Sequence, residues 1–243
     1  MAQTNESTTT ASDAINSRAS LDYWNKTSAD EDGMLGGIPS LGGGFSSVSR
    51  IDLQGSRTFL ARLGIGTKRD RRRVCSAVDA GAGIGRITKG LLLDVAREVD
   101  VIEPVARFTD ALRGHPGVRT IFNVGLEDWR PRPGVAYDII WTQWCLGHLR
   151  DGDVVQYLRA CRAVLRPGSG VIVVKENISI GGEDVFDGTD SSVTREDGKF
   201  RSLFEEAGLR LVRTEEQRGL PEVPPRRLLP VRMYALKPSG ANS

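Results

Sequence analysis

The stretch that most constrains this chain is residues 74–86, V-C-S-A-V-D-A-G-A-G-I-G-R. It opens apolar and β-branched, reaches Asp79, then breaks into Gly81-Ala82-Gly83-Ile84-Gly85. Ile87, Leu91, Leu92 and Val95 follow at the spacing of one helix face. This reads as a buried strand, a glycine turn and a helix start. Glycine suits such a turn because it adopts angles that a Cβ penalises and lets a ligand approach the main chain closely. The helix N-terminus behind the turn favours oxygen-rich polar groups.

The glycine spacing narrows the ligand. The dinucleotide fingerprint is G-x-G-x-x-G. Here the third glycine comes one residue early, at Gly85, and Arg86 occupies the fingerprint position. The pattern apolar-apolar-Asp-x-Gly-x-Gly-x-Gly instead resembles the first motif of the S-adenosylmethionine-dependent methyltransferases. The alternative is a tight strand-to-helix turn that binds nothing.

The rest of the chain repeats strand and helix. Expected strands cover 98–103, 118–124, 137–144, 170–176, 209–215 and 231–237. Helices are expected at 14–26, at 48–63 with a break at Gly55-Ser56, at 84–93, from 104 to 112, at 149–165 opened by His148, and at 194–207. The alternation predicts a doubly wound α/β fold with a mostly parallel sheet. Residues 1–15 are rich in Ser, Thr and Asn and read as a disordered tail, as do residues 239–243. Residues 16–238 form one domain, with a cofactor-binding core over about 70–180. Glycines and Pro39 crowd the segment from Gly33 to Gly44, yet Met34, Leu35, Ile38, Leu41 and Phe45 are interspersed. That mixture predicts a mobile flap at about 30–48 that closes over a substrate, or a loop packing its own few apolar residues. The run K-R-D-R-R-R at 68–73 reads as a solvated loop before the first strand, the alternative being a contact with an acidic partner.

Glu103 ends the second strand about twenty residues beyond the glycines, where an acid can accept hydrogen bonds from ribose hydroxyls. Gly125-Leu126-Glu127-Asp128-Trp129 follows the third strand at its carboxyl end, the edge where open α/β sheets bind ligands. Gln143 and Trp144 reach the same edge. Between residues 176 and 194 stand Glu176, Glu183, Asp184, Asp187 and Asp190 without a Lys or Arg. This local acidity receives a cationic substrate or is a solvated acidic loop.

Composition excludes other classes. With 33 basic and 31 acidic side chains, the net charge of +2 gives no field pointing to nucleic acid or membrane. Cys75, Cys145 and Cys161 are far apart and form no C-x-x-C, so reduced thiols in an intracellular setting are expected, neither disulfides nor zinc ligands. No apolar run is long enough to span a bilayer, and the first residues lack the parts of a signal peptide.

Several stretches in order carry a more specific resemblance: Tyr23-Trp24, D-G-M-L-G-G at 32–37, S-R-I-D at 49–52, G-A-G-I-G-R-I-T-K at 81–89, Q-W-x-x-G-H-L at 143–149, L-R-P-G at 165–168, K-E-N at 175–177 and D-S-S-V-x-R at 190–195. Together they closely resemble the protein α-N-terminal methyltransferases, which methylate the α-amine of proteins beginning Xaa-Pro-Lys. The resemblance implies a Rossmann-like class I methyltransferase fold, a seven-stranded mostly parallel sheet with helices on both faces, N-terminal helices and the glycine-rich flap. It implies S-adenosylmethionine as cofactor, S-adenosylhomocysteine as product and no metal. Partners would be proteins with an N-terminal Xaa-Pro-Lys, ribosomal proteins among the candidates, acted on by a cytoplasmic, and also nuclear, monomer.

Carried over residue by residue, Gly81, Gly83 and Arg86 bind the methionine end of the cofactor, Arg86 through its carboxylate. Glu103 stands where the family has Asp and holds the ribose. Pro104 and Val105 differ from the usual pair. Leu126 and Glu127 flank the adenine, and Gln143 contacts the cofactor. Trp24, Leu35, Trp144, Asn177, Asp187, Asp190 and Ser192 line the peptide channel. Leu35 and Trp144 would hold the substrate proline, Asp187 with Ser192 its lysine, and Asn177 would orient its first carbonyl or amine. The amine must lose a proton before it attacks; with a pKa near ~7.7–8.0, a modest base suffices, and Asp190 and His148 are the candidates. Two departures stand out: a longer flap over I-P-S-L-G-G-G-F-S-S at 38–47, and Arg227-Leu228-Leu229 where some members have Glu-Ile-Tyr. Alternative readings are a methyltransferase of a small molecule or RNA on the same fold, or a binding module that keeps the pocket without the chemistry. RNA would call for a basic, aromatic face near the glycine turn.

Overall fold

The structure is a computed structural model that describes residues 10–36, 45–221 and 228–240. Its elements are α1 (Ser17–Lys26), α2 (Glu31–Met34), α3 (Phe45–Arg62), β1 (Val74–Ala80), β2 (Ala96–Ile102), β3 (Val118–Phe122), β4 (Ile139–Gln143), α4 (Asp151–Ala163), β5 (Val171–Asn177), β6 (Val185–Asp187), β7 (Ser192–Thr194), α5 (Asp197–Glu206), β8 (Leu209–Glu216) and β9 (Val231–Pro238). Seven strands form one sheet in the order β3-β2-β1-β4-β5-β9-β8. β3 through β5 run parallel, and β9 and β8 close the edge antiparallel. The chain winds from β1 towards β2 and β3 on one side, then towards β4 and β5 on the other. The crevice above the carboxyl ends of β1 and β4 is therefore the switch point at which such sheets take ligands.

β1, β4 and β5 are nearly continuous apolar runs because both their faces are covered, as parallel strands require. Their side chains alternate between two cores. Val78, Ala80, Ile140, Ile172 and Val174 pack under α4 and α5 with Tyr157, Phe200 and Phe204. Ala77, Ile139, Trp141, Val171 and Val173 pack under α3 and the helical residues 86–95 with Phe59, Leu60, Leu91 and Leu92. The expected doubly wound sheet with helices on both faces is thus present.

Several boundaries differ from the sequence reading. α3 runs unbroken through Gly55 and Ser56. A Cβ at Gly55 would collide with the Gln217 carboxamide, so this glycine admits a neighbour and does not end a helix. The residues after the glycine turn include a π turn at Thr88–Leu92 that leads into Leu93–Val95. The segment after Pro104 is a 3₁₀ helix, Ala106–Leu112. His148 does not open the long helix: it closes a 3₁₀ turn, Leu146–His148, and α4 starts at Asp151. The residues read as the start of a helix at 194 belong to β7, which pairs with β6 in a hairpin. Hairpin strands this short, one of them fully exposed, have no periodicity to read.

Regular structure begins inside the expected tail. Ala11–Ala14 form a 3₁₀ turn, and Ile15 is buried. The Asn16 N–H donates to Ser191 Oγ at 2.8 Å, which ties this segment to the hairpin. Of the expected flap, Glu31–Met34 form α2, capped by Asp30 accepting from the Gly33 N–H at 2.8 Å. Ile38, Leu41 and most of the longer flap insertion lie outside the described residues, as does Arg227. Leu228 and Leu229 are half-buried in irregular chain before β9.

Candidate active site

β1 delivers Asp79 to the switch point and the chain turns sharply behind it. Gly81 (φ 70°) and Gly83 (φ 53°) adopt left-handed backbone angles, and both are tightly covered. A Cβ on Gly81 would lie 2.5 Å from that of Cys145, and one on Gly83 would lie 2.6 Å from Met34 Sδ. The Gly83 N–H donates to Glu103 Oε2 at 2.8 Å, and the Val105 N–H to Glu103 Oε1 at 2.9 Å. Each carboxylate oxygen of Glu103 thus receives one backbone donor and keeps a second lone pair. Burial, with a smaller push from Asp79, raises the Glu103 acid to about 6. Asp79 is raised to about 6 by burial as well, against the Thr88 hydroxyl that donates to it at 2.5 Å.

Beside the turn lies a buried charge cluster. Arg86 donates to Asp52 Oδ2 at 2.7 Å, and its guanidinium sits 5.4 Å from the centre of the Trp144 ring. The Lys175 ammonium, fully enclosed, lies 2.5 Å from Asp52 Oδ1. Gln143 donates to both Asp52 oxygens at 3.1 Å while accepting from Trp141 Nε1 at 3.0 Å. The Gln143 amide, expected to touch a cofactor, therefore anchors Asp52 as well as facing the cavity.

The loop after β4 forms the opposite wall. Trp144 has φ 53°, a rare angle for a large side chain, and the loop around it is clamped twice. Glu176 Oε1 accepts from the Cys145 and Leu146 N–H groups, both at 2.9 Å. Buried Arg195 donates to the Leu146 and Leu149 carbonyls at 2.8 and 2.6 Å and to Asp151 at 2.9 Å. His148 is held by α1: Trp24 Nε1–H donates to His148 Nε2 at 3.1 Å, and Ser20 Oγ lies 2.9 Å from Nδ1. Indole is a donor only, so Nε2 carries the lone pair and the neutral ring bears its proton on Nδ1. Burial lowers the basicity of His148, opposed by the charge of Asp190. Protonating Nε2 would break the Trp24 bond. Two buried polar atoms have no hydrogen-bond partner among the described residues: Trp144 Nε1, on the cavity wall, and Asp190 Oδ1, whose residue lies behind the lining with its charge in reach of His148.

These walls enclose a cavity of about 390 Å³. Gly81, Gly83, Arg86, Glu103 and Pro104 line it on the turn side, and Leu126, Glu127 and Gln143 line it beyond. Trp24, Trp144 and His148 line the far side. Val105 is the exception among the expected cofactor contacts: its side chain is buried away from the cavity and only its backbone serves, on Glu103. Leu35 is buried outside the wall, and its neighbour Met34 takes the place over the glycine turn. Asn177 is exposed at the end of β5, and Asp187 is exposed, paired in register with Ser192 in the hairpin. Ser192 packs against Gly147, beside His148. Sequence reasoning missed Ser20, Asp52, Met34 and Arg195. Met34 and Asp52 lie in the motifs D-G-M-L-G-G and S-R-I-D, but nothing local shows what they touch.

The donor set fits S-adenosylmethionine. Buried acids that can receive hydroxyl and ammonium groups line the cavity, a cation sits beside the turn, and the apolar Leu126 and Phe108 offer faces for a base. Among the described residues no group of His, Cys, Asp and Glu could hold a metal ion, and no helix is long and apolar enough to cross a membrane. All three cysteines are free thiols.

Comparison with known proteins agrees with this geometry. Residues 12–237 match the model of a family described as AdoMet dependent proline di-methyltransferase. The chain is 44% identical over 224 residues to alpha N-terminal protein methyltransferase 1 of Schizosaccharomyces pombe, covering 91% of this chain and 95% of that protein. It is 40% identical over 205 residues to N-terminal Xaa-Pro-Lys N-methyltransferase 1 of Homo sapiens, covering 82% and 87%. A SAM-dependent methyltransferase of Leishmania major superposes with a TM-score of 0.78 at 36% identity, over 91% of this chain and 82% of that one. A 1,6-didemethyltoxoflavin N1-methyltransferase of Burkholderia thailandensis shares the fold at 21% identity, with a TM-score of 0.59 and 77% of each chain covered. The glycine turn, its acid partner and the clamped tryptophan loop thus belong to a member of the AdoMet-dependent family of α-N-terminal protein methyltransferases.

Proposed function

We propose that this protein transfers methyl groups from S-adenosylmethionine to the α-amine of polypeptides that begin Xaa-Pro-Lys. The observation that carries the reading is Asp190 Oδ1, a buried carboxylate oxygen without a partner among the described residues. A native structure rarely leaves such a group unpaired, and an incoming ammonium supplies the missing donor. The orphaned Trp144 Nε1–H offers the complementary donor to a carbonyl of the same peptide.

When bound, S-adenosylmethionine supplies an electrophilic methyl group on a sulfonium. Glu103 is suited to hold its ribose through the two lone pairs that the backbone leaves free, and Arg86 its carboxylate. Leu126 and Glu127 flank the base. The protein's own contribution is to desolvate the amine, orient it and take its proton. Asp190 is the acceptor. His148 already spends its lone pair on Trp24, so it fixes that wall of the channel. Trp24 and Trp144 together form an apolar slot suited to a proline ring. Asp187 and Ser192, adjacent across the hairpin, suit the lysine ammonium through charge pairing, and exposed Asn177 is suited to orient the first carbonyl. The reduced thiols agree with a cytoplasmic or nuclear setting.

The test is mass spectrometry of a synthetic peptide beginning Ser-Pro-Lys after incubation with protein and S-adenosylmethionine, beside the same peptide acetylated on its α-amine. Methylation of the free peptide alone is expected. Methylation of both would move the chemistry to the lysine side chain and refute the assignment.

A further inference from the structure

The buried cluster beside the glycine turn contains a charge count that the pair Arg86–Asp52 alone would not satisfy. Arg86 touches Asp52 at 2.7 Å with only 8% of its side chain exposed. A guanidinium so paired is neutral at a distance and has little attraction left for a carboxylate. Lys175 changes the balance. Its Nζ faces oxygens from four directions: Asp52 Oδ1 at 2.5 Å, the Asp52 carbonyl at 3.1 Å, Ser56 Oγ at 3.0 Å and Gln217 Oε1 at 2.8 Å. Ser56 directs its own hydrogen to the Asp52 carbonyl, and Gln217 turns its amide N–H groups to the Ile51 and Arg218 carbonyls. Every neighbour of Nζ therefore presents an acceptor, the environment of an ammonium and not of a free amine. Two cations and one anion leave a net charge of +1. Of the three charged groups only Arg86 lines the cavity.

We infer that Lys175, through Asp52, is a positioning residue that keeps Arg86 electrostatically available to the carboxylate of the cofactor's methionine end. Asp52 fixes the guanidinium and Lys175 cancels the charge of Asp52. Gln143, donating to both Asp52 oxygens, locks the carboxylate between the two cations without altering the count. Asp79, bonded to the Thr88 hydroxyl, also feels the charge of Arg86, and Glu103 is bonded to backbone N–H groups; both acids are the same in every variant below, so differences between variants report on the cluster. The inference rests on the cofactor reading above and adds a residue that never meets the ligand.

Binding of two ligands separates the possibilities: S-adenosylhomocysteine, which has the amino-acid end, and 5′-methylthioadenosine, which lacks it. Lys175→Met removes the compensating charge and is expected to weaken S-adenosylhomocysteine about tenfold, the order of effect of unbalancing a desolvated charge pair, while 5′-methylthioadenosine binds as before. Lys175→Gln, which keeps a donor towards Asp52, has the same charge and the same expected loss, and stands in if the methionine variant does not fold. The decisive variant is Asp52→Asn with Lys175→Met. It restores +1 on Arg86 alone, and replacing a buried ion pair by neutral groups is tolerated in many folds; affinity for S-adenosylhomocysteine is expected to return to within about threefold of wild type. A merely structural Lys175 would weaken both ligands alike and would not be rescued, and either result overturns the inference. Wild-type protein that binds neither ligand would instead overturn the cofactor reading itself.

Discussion

At the turn side of the cavity the glycine turn and its acid are near neighbours, although the Asp52 and Lys175 cluster beside them is remote in sequence. Gly83 and Glu103, twenty positions apart, are joined across two adjacent strands, and Asp79, Gly81, Gly83 and Arg86 all belong to one strand-turn-helix unit. At the hairpin side the partners are remote. Ser20 meets His148 across 128 positions, and Asn16 meets Ser191 across 175. The first wall is an outgrowth of the sheet, fixed by backbone donors that move only if β1 and β2 move. The second is assembled from α1, the loop after β4 and a hairpin of three-residue strands, and its coherence depends on a few buried polar side chains. A site that must bind one cofactor and admit a protein terminus gains from this division. The rigid wall sets the position of the donor, and the assembled wall, held by fewer backbone bonds, is expected to open locally at lower cost.

Asp190→Ala puts the sharpest demand on that division. If Asp190 is the proposed acceptor of the amine proton, its removal is expected to lower kcat by roughly 10²–10⁴-fold, the range for a lost general base, with S-adenosylhomocysteine affinity unchanged. Parallel loss of turnover and cofactor binding would mean that the two walls act as one. Arg195→Met tests the assembly of the second wall. It leaves the Leu146 and Leu149 carbonyls and the Asp151 carboxylate without their buried partner, a change that costs about 3–5 kcal/mol when one member of a buried pair is removed. Hydrogen exchange should then show amides of residues 144–149 and 185–194 opening well before those of β1 and β4. Equal loss of protection in β1 would contradict the contrast.

The same contrast explains what the sequence discloses. The strand, glycine turn and Glu103 are legible because their relations are local: a nearly continuous apolar run, a turn that favours glycine, an acid one crossover later. Lys175 and Asp52 are 123 positions apart, and no spacing rule links a lysine late in a strand to an aspartate inside a helix. The hairpin reads as an acidic loop because Val185–Asp187 is exposed throughout. His148 reads as a helix opener because it precedes an amphipathic run, yet the helix waits for Asp151. The strand pattern already brought Trp144 to the ligand edge, and the family resemblance added the wall residues Trp24 and His148, which periodicity gave no reason to single out. The resemblance assigned Leu35 to the peptide channel, whereas Leu35 is buried off the cavity wall and its neighbour Met34 lines the cavity over the glycine turn, since a motif fixes which residues stand together and not which way each points.

Glu176→Gln probes the joint between the two walls and should give the smallest effect. Successive residues of a strand point to opposite faces: Lys175 enters the charge cluster while Glu176 turns to the loop after β4. Burial raises the Glu176 acid from 4.5 to about 7, opposed by the Leu146 and Cys145 N–H groups that it accepts. Folding therefore favours its protonated form. Its contribution to stability is complete below about pH 4.5 and is lost as pH rises through about 7, with about 1.4 kcal/mol for each tenfold change in acidity between the folded and unfolded chain. Glutamine preserves the acceptor to both N–H groups and cannot ionise. The variant and the wild type should melt together near pH 5. By pH 8 the wild type should melt several degrees lower, since each kcal/mol moves Tm by about 2–4 °C in a chain of this size. Asp79 and Glu103, both raised to about 6, affect the two proteins equally, so the difference between the curves isolates Glu176. Parallel curves from pH 5 to 8 would mean that the carboxylate is ionised throughout, and that the loop is clamped by a charge and not by a neutral acid.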